Sequence, residues 1–179
     1  MIEFEVLSGS FVTQVGEAFV GSGAEAAHIN TVLGSKGGPV ETAWVTALAT
    51  PRAGHIPFVT TLQPGVPAKP MTLFVNKATL EGDRHSTMTW GPAQAGVASG
   101  VLWAVADNVV PAELVDDLLL VVAVWVNPEA SDGDLVYANN RQATRDALAA
   151  GAQRLPVVGD ALAARDTPYN AYWPPPTES

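Results

Sequence analysis

The feature that most limits how this chain can fold is one uninterrupted apolar run, Leu118 to Val126 (LLLVVAVWV). Its nine residues are about half of the ~20 that a membrane-spanning helix requires, so the run reads as a buried strand. A chain of 179 residues that is 47% hydrophobic and 15% charged can build a core around such a strand. Length alone predicts one domain, taken as residues 1–151, with an extension over 152–179 that is Pro-rich at its end.

Charge narrows the function classes. Nine Lys plus Arg stand against 18 Asp plus Glu, a net charge of −9, and the pI is near 4.6. Binding that neutralises phosphates draws on clustered Lys and Arg, so nucleic acid is not an expected partner. Cysteine is absent from the sequence, which excludes disulfides, thiolate metal sites and Cys nucleophiles. The first residues show no basic segment followed by an apolar stretch and a small-residue cleavage site, so no membrane association and a cytoplasmic location are expected.

Two extended segments, Glu17 to Val20 and Ala27 to Leu33, flank the link Gly21, Ser22, Gly23 and read as a hairpin. The spacing of Gly21, Gly23 and Ala26 loosely fits a dinucleotide fingerprint, but a strand follows where that fingerprint needs a helix. Pro39 and Glu41 suit the first turn of a short helix that Pro51 ends. Strands are expected over Phe58 to Leu62 and Met71 to Leu80, a helix opened by Gly91 and Pro92 to about Asn108, and a helix over Asn139 to Ala150 stopped by Gly151. Pro111 to Asp117 reads as a polar turn and Leu155 to Ala164 as a short extra turn. The fold class is α+β, one layer of helices on a mixed or largely antiparallel sheet.

Three His occur, at 28, 55 and 85, without a metal-ligand spacing, so no metal is expected. Strand alternation places His28 and Asn30 on one face, and Lys77 and Thr79 on a common face of theirs. His28 reads equally as an acid–base group or as a structural His, and Lys77 either meets an anion, lies at an opening, or protects an edge strand. Gln94 falls in the first turn of its expected helix, where it either meets a polar ligand or caps that helix. Asp116 and Asp117, being adjacent, diverge and make a poor carboxylate dyad, and Trp44, Trp90, Trp103 and Trp125 read as core or interface residues.

The blocks VGEAFVGSGAEAAHI at 15 to 29, GGPVETAW at 37 to 44, VPAKP at 66 to 70, NKAT at 76 to 79, GPAQAGVA at 91 to 98 and DDLLLVVAVWV at 116 to 126 occur in the order seen in one family. Over about residues 14 to 150 the chain resembles the formaldehyde-activating enzymes. The resemblance implies a lyase that condenses formaldehyde with tetrahydromethanopterin, giving the methylene derivative and water, with tetrahydrofolate as the other reduced pterin to consider. It also implies a subunit like the second domain of ribosomal protein S5, and a ring-shaped homopentamer with pterin sites between neighbouring subunits. Carried across by motif, His28 matches the family's proton donor, while Lys77, Thr79 and Gln94 match residues lining the pterin site. Asn30 and Val59 fall on pterin-site positions where the family usually has Asp and Leu. The alternative is a non-catalytic paralogue that binds a pterin, a folate or a formaldehyde adduct, or a structural ring protein.

Overall fold

The computed structural model describes residues 6–7, 10–170 and 173. After two short strands, β1 (Val6–Leu7) and β2 (Ser10–Phe11), the chain enters β3 (Gln14–Val20), turns, and returns as β4 (Ala27–Ser35). The expected hairpin is present and antiparallel, with Glu17 opposite Asn30 and Phe19 opposite His28. Its link is fixed from outside, because Asn139 Nδ2 donates to the Glu25 carbonyl at 2.8 Å. Gly21 passes so close to that amide, at φ 85°, that a Cβ would stand 2.5 Å from its nitrogen. Only glycine combines that backbone conformation with that approach.

α1 (Pro39–Ala49) begins where Pro39 and Glu41 place it, and Gly37 N–H donates to Glu41 Oε2 at 2.8 Å. Four strands follow, β5 (Phe58–Val59), β6 (Thr61–Gln63), β7 (Val66–Pro67) and β8 (Met71–Asn76). Then come α2 (Gly82–Met88), a π-helical turn over Thr89–Ala93, and α3 (Gln94–Ala106). A short turn at Ala112–Leu114 leads into β9 (Leu118–Trp125), and α4 (Gly133–Ala152) and α5 (Val158–Ala164) complete the described elements.

The apolar run forms β9, the central strand of a five-stranded mixed sheet in the order β3-β4-β9-β8-β5. It pairs antiparallel with β4 and parallel with β8. Alternation then divides its side chains. Leu118, Leu120, Val122 and Val124 pack with Ile29, Leu33 and Phe74 beneath Val97, Val101 and Ala104 of α3 and Ala143 and Ala147 of α4. On the other face, Leu119 and Val121 join Leu73 and Val59 against Val40 and Trp44 of α1. The expectation of a single helical layer is thereby corrected. A strand without a polar residue presents apolar surface on both faces, and each fully buried side chain contributes about 1.5–3 kcal/mol, so the second face also recruits a helix.

Several boundaries differ for tertiary reasons. The strand expected over Phe58 to Leu62 is split into β5 and β6, with Thr60 N–H donating to Thr72 O at 2.9 Å. β8 stops at Asn76, not at Leu80, because Asn76 Nδ2 donates to the carbonyls of Gly54 and Ala78, each at 2.7 Å, and bends the chain. Lys77 and Thr79 therefore do not share one strand face. The helix expected from Gly91 and Pro92 already begins at Gly82, and the π turn accommodates Pro92 within the helical run. α4 starts at Gly133, where Asp132 Oδ1 accepts from Leu135 N–H at 3.0 Å, and continues through Gly151. Gly151 is retained for packing, since a Cβ there would meet the Val15 backbone at 3.3 Å. The tail expected over Asn170 to Ser179 lies outside the described residues apart from Asn170 and Trp173.

β3 and α4 are in backbone contact. A Cβ at Gly16 would lie 1.8 Å from the Ala147 carbonyl oxygen, a position that neither element can yield cheaply. Gly16→Ala is expected to lower the unfolding free energy by about 3 kcal/mol, whereas Gly159→Ala, with no atom within 4 Å of the added carbon, should be nearly neutral. Urea midpoints of the two variants against the parent chain check this.

Candidate active site

α1 covers only the end of the sheet at Leu119 and Val121, and the other end of that face carries the polar side chains. Two register rows build it. One row runs from Glu17 on β3 through Asn30 on β4 to Ala123 on β9 and Val75 on β8. The next holds Phe19, His28 and Trp125. Lys77 follows the end of β8, its N–H donating to Val124 O at 2.8 Å.

Lys77 Nζ donates to Asn30 Oδ1 at 2.8 Å. To make this bond the side chain crosses over β9, and the residue that it passes in the Asn30 row is Ala123, small enough to leave room. Burial pushes the Lys77 pKa below its ordinary value of 10.5, and the Glu17 carboxylate partly opposes that shift. Glu17 Oε1 lies 3.0 Å from His28 Nε2, diagonally across the hairpin. The Phe19 ring stands 6.1 Å from the imidazole, tilted by 52°. One carboxylate, one imidazole, one amide and one half-buried ammonium thus occupy a single patch, able to exchange a proton and to bind polar atoms.

Of the residues singled out in the sequence, His28, Asn30 and Lys77 are brought together here. Val59 lies on the same sheet face but at the α1 end, packed among Leu73, Val40 and Trp44. Thr79 is exposed and bonds to another group: His55 Nε2 is 3.2 Å from Thr79 Oγ1, and His55 Nδ1 is 3.0 Å from the Asn76 carbonyl. Gln94 sits at the start of α3, on the opposite side of the sheet, and its Oε1 accepts from Thr61 N–H at 2.7 Å. Neither local reading of Gln94 survives unchanged. It is preceded by twelve helical residues, not free amides, and its side chain holds β6 rather than capping its own helix.

Glu17, Ala123 and His55 were not singled out as site residues. Glu17 was legible in principle, since a short glycine link fixes the hairpin register and puts Glu17 opposite Asn30. Ala123 and His55 depend on contacts distant in sequence, which periodicity does not report. The other residues weighed in the sequence have structural partners. His85 is buried, accepting from Glu81 N–H at Nδ1 (3.1 Å) and lying 3.0 Å from Val126 O through Nε2. Asp116 pairs with Lys69, and that hydrogen bond and charge hold its carboxyl below the usual range. Trp44 is buried, the Arg141 and Arg145 guanidinium groups lie over the Trp103 ring, and Trp90 is exposed. No cluster of metal-ligating side chains occurs among the described residues, and no helix among them is long and apolar enough to cross a membrane.

The fold and the patch together define an α+β protein with an acid–base pair and a partly desolvated lysine on one open sheet face. Comparison with known proteins makes the class specific: residues 15–173 match the family described as formaldehyde-activating enzyme (Fae), and the chain belongs to that family. It is 44% identical over 155 residues to the 5,6,7,8-tetrahydromethanopterin hydro-lyase of Methanosarcina barkeri, covering 87% of each chain. It is also 38% identical over 157 residues to the bifunctional enzyme Fae/Hps of Methanosphaera stadtmanae, and 37% identical over 149 residues to that of Methanosarcina mazei. Those two matches cover 88% and 83% of this chain but only 39% and 38% of the relatives.

Lys77 carries a pH consequence. With its folded-state pKa lowered, the unfolded chain binds more protons in the window below 10.5, so this group makes stability rise with pH through that window. Asn30→Asp places a negative charge where Lys77 now meets a neutral oxygen, which raises the Lys77 pKa and flattens that slope. Titration of the Lys77 side chain by NMR in both proteins checks the direction.

Proposed function

We propose that this chain condenses formaldehyde with tetrahydromethanopterin to give the methylene derivative and water. The observation that carries this reading is the 44% identity, over 87% of both chains, to a protein named for hydro-lyase action on that pterin. The patch supports it, since His28, Asn30 and Lys77 fall together in space as a small polar substrate would need.

In this reading one pterin amine adds to formaldehyde, forming a carbinolamine. Its hydroxyl is a poor leaving group until protonated, and His28 supplies that proton as general acid. Water leaves, an iminium carbon remains, and the second amine closes the ring while giving up a proton. Lys77 and Asn30 hold polar atoms of the pterin so that both amines reach the same carbon, the larger part of the task for reactants that already combine unaided. Val59, Thr79 and Gln94 line the pterin site in the same reading. Gln94 lies on the other side of the sheet from His28, which supports sites assembled between subunits of a homopentamer, each subunit contributing different groups to two neighbouring sites. The subunit is read as a fold like the second domain of ribosomal protein S5, with residues 1–151 as the catalytic part and a cytoplasmic location. No metal takes part.

The test is the rate of methylene-pterin formation with and without the protein, using tetrahydromethanopterin and, separately, tetrahydrofolate. The protein is expected to accelerate the first reaction. His28→Ala should lower kcat by about 10²- to 10⁴-fold with the assembly intact on size exclusion, and Lys77→Met should act mainly on KM. EDTA should leave the rate unchanged. Pterin binding without acceleration by the parent protein would sink the catalytic reading and favour a non-catalytic binder.

A further inference from the structure

The contact between Glu17 and His28 has a direction that the general-acid reading leaves unassigned. Nε2 of His28 is the nitrogen that faces Glu17 Oε1, at 3.0 Å. A carboxylate has no hydrogen to give, and its negative charge at that distance disfavours a lone pair on Nε2 and favours a hydrogen there. Nδ1 of the same ring has no hydrogen-bond partner among the described residues, while the ring itself is held between the neighbouring strands, with Phe19 opposite it on β3 and Trp125 opposite it on β9. Glu17 in turn is held by its place on β3, opposite Asn30, and its charge is felt by Lys77.

We propose that Glu17 is a positioning residue that locks the Nε2–H form of His28, leaving Nδ1 as the nitrogen that first gives and then takes the catalytic proton. This rests on the reaction proposed above. In the protonated ring both nitrogens bear hydrogen. The Nδ1–H proton moves to the carbinolamine oxygen, the carbon–oxygen bond breaks with its electron pair going to the departing water, and the amine lone pair forms the iminium double bond. The ring is then neutral, with its remaining hydrogen on Nε2, beside the Glu17 carboxylate, and a lone pair on Nδ1. When the second amine bonds to the iminium carbon, its proton passes to Nδ1 and the starting state returns. Glu17 stays a carboxylate throughout. A neutral ring left free to place its hydrogen on either nitrogen would hold it on Nδ1 part of the time, where it can take up no proton.

The experiment pairs two measurements on the full chain, with Glu17→Ala compared to the parent. Long-range proton–nitrogen correlation spectra of imidazole-labelled protein, without pterin, read the tautomer of His28. Steady-state kinetics read kcat and KM, and thermal melting confirms that the variant folds. The parent should show the Nε2–H tautomer in its neutral ring, and Glu17→Ala a mixture of the two forms, together with a kcat loss of about 10- to 100-fold and little change in KM. An Nδ1–H tautomer in the parent overturns the proposal whatever the variant does. So does a variant that keeps either the parent's tautomer or the parent's kcat. No acceleration by the parent sinks the reaction itself and the proton delivery with it, while the spectra still decide whether Glu17 fixes the ring.

Discussion

A strand with no polar side chain has to be covered on both of its faces, and the position of β9 at the centre of the sheet follows from that requirement. Its neighbours β4 and β8 satisfy its backbone, α3 and α4 cover one face, and α1 covers the other. α1 has eleven residues, about 16 Å of helix at 1.5 Å per residue, and it caps the Leu119 end alone. The uncovered remainder of that face is where polar side chains can stand on a rigid support while remaining in reach of solvent. Placement of the candidate site is thus a by-product of how the core is closed, and its geometry is set by strands that the core holds in register.

What could be read from the sequence divides along the same line. The β3–β4 hairpin and α1 are local events, marked by Gly21 and Gly23 in one case and by Pro39 and Glu41 in the other, and both were legible. So was the pairing of His28 with Asn30 on one face, which needs only the alternation of a strand. The extent of β8 was not legible, because the Asn76 amide bonds to Gly54, 22 residues away, and ends the strand early. Gln94 was misplaced for the same reason, its partner Thr61 being 33 residues distant. A helix boundary inferred from Gly91 and Pro92 was sound local chemistry overridden by a π turn. The two helical layers were implicit in β9 itself, since period-two alternation within an all-apolar strand leaves no face for water.

Asn30 gains a physical account from its neighbour. Lys77 donates to a neutral oxygen in a half-buried setting, and the only carboxylate in the patch among the described residues is Glu17 on the next strand. The patch's negative charge stands on β3, beside the imidazole rather than under the ammonium. In a protein with net charge −9, the one carboxylate of the described patch stands 3.0 Å from a histidine nitrogen.

The bond between Thr61 and Gln94 determines what Gln94 can offer to a neighbour. One lone pair of its carbonyl oxygen is taken by the Thr61 N–H, while both hydrogens of the amide NH₂ stay available as donors. A molecule that meets Gln94 without disturbing β6 meets hydrogen-bond donors, and is selected for carbonyl, carboxylate or phosphate oxygens at that point. A molecule that instead brings an N–H has to share the oxygen already bonded to the main chain of β6, which pairs with β7. The orientation of one side-chain amide is thus written in the main chain of a different strand.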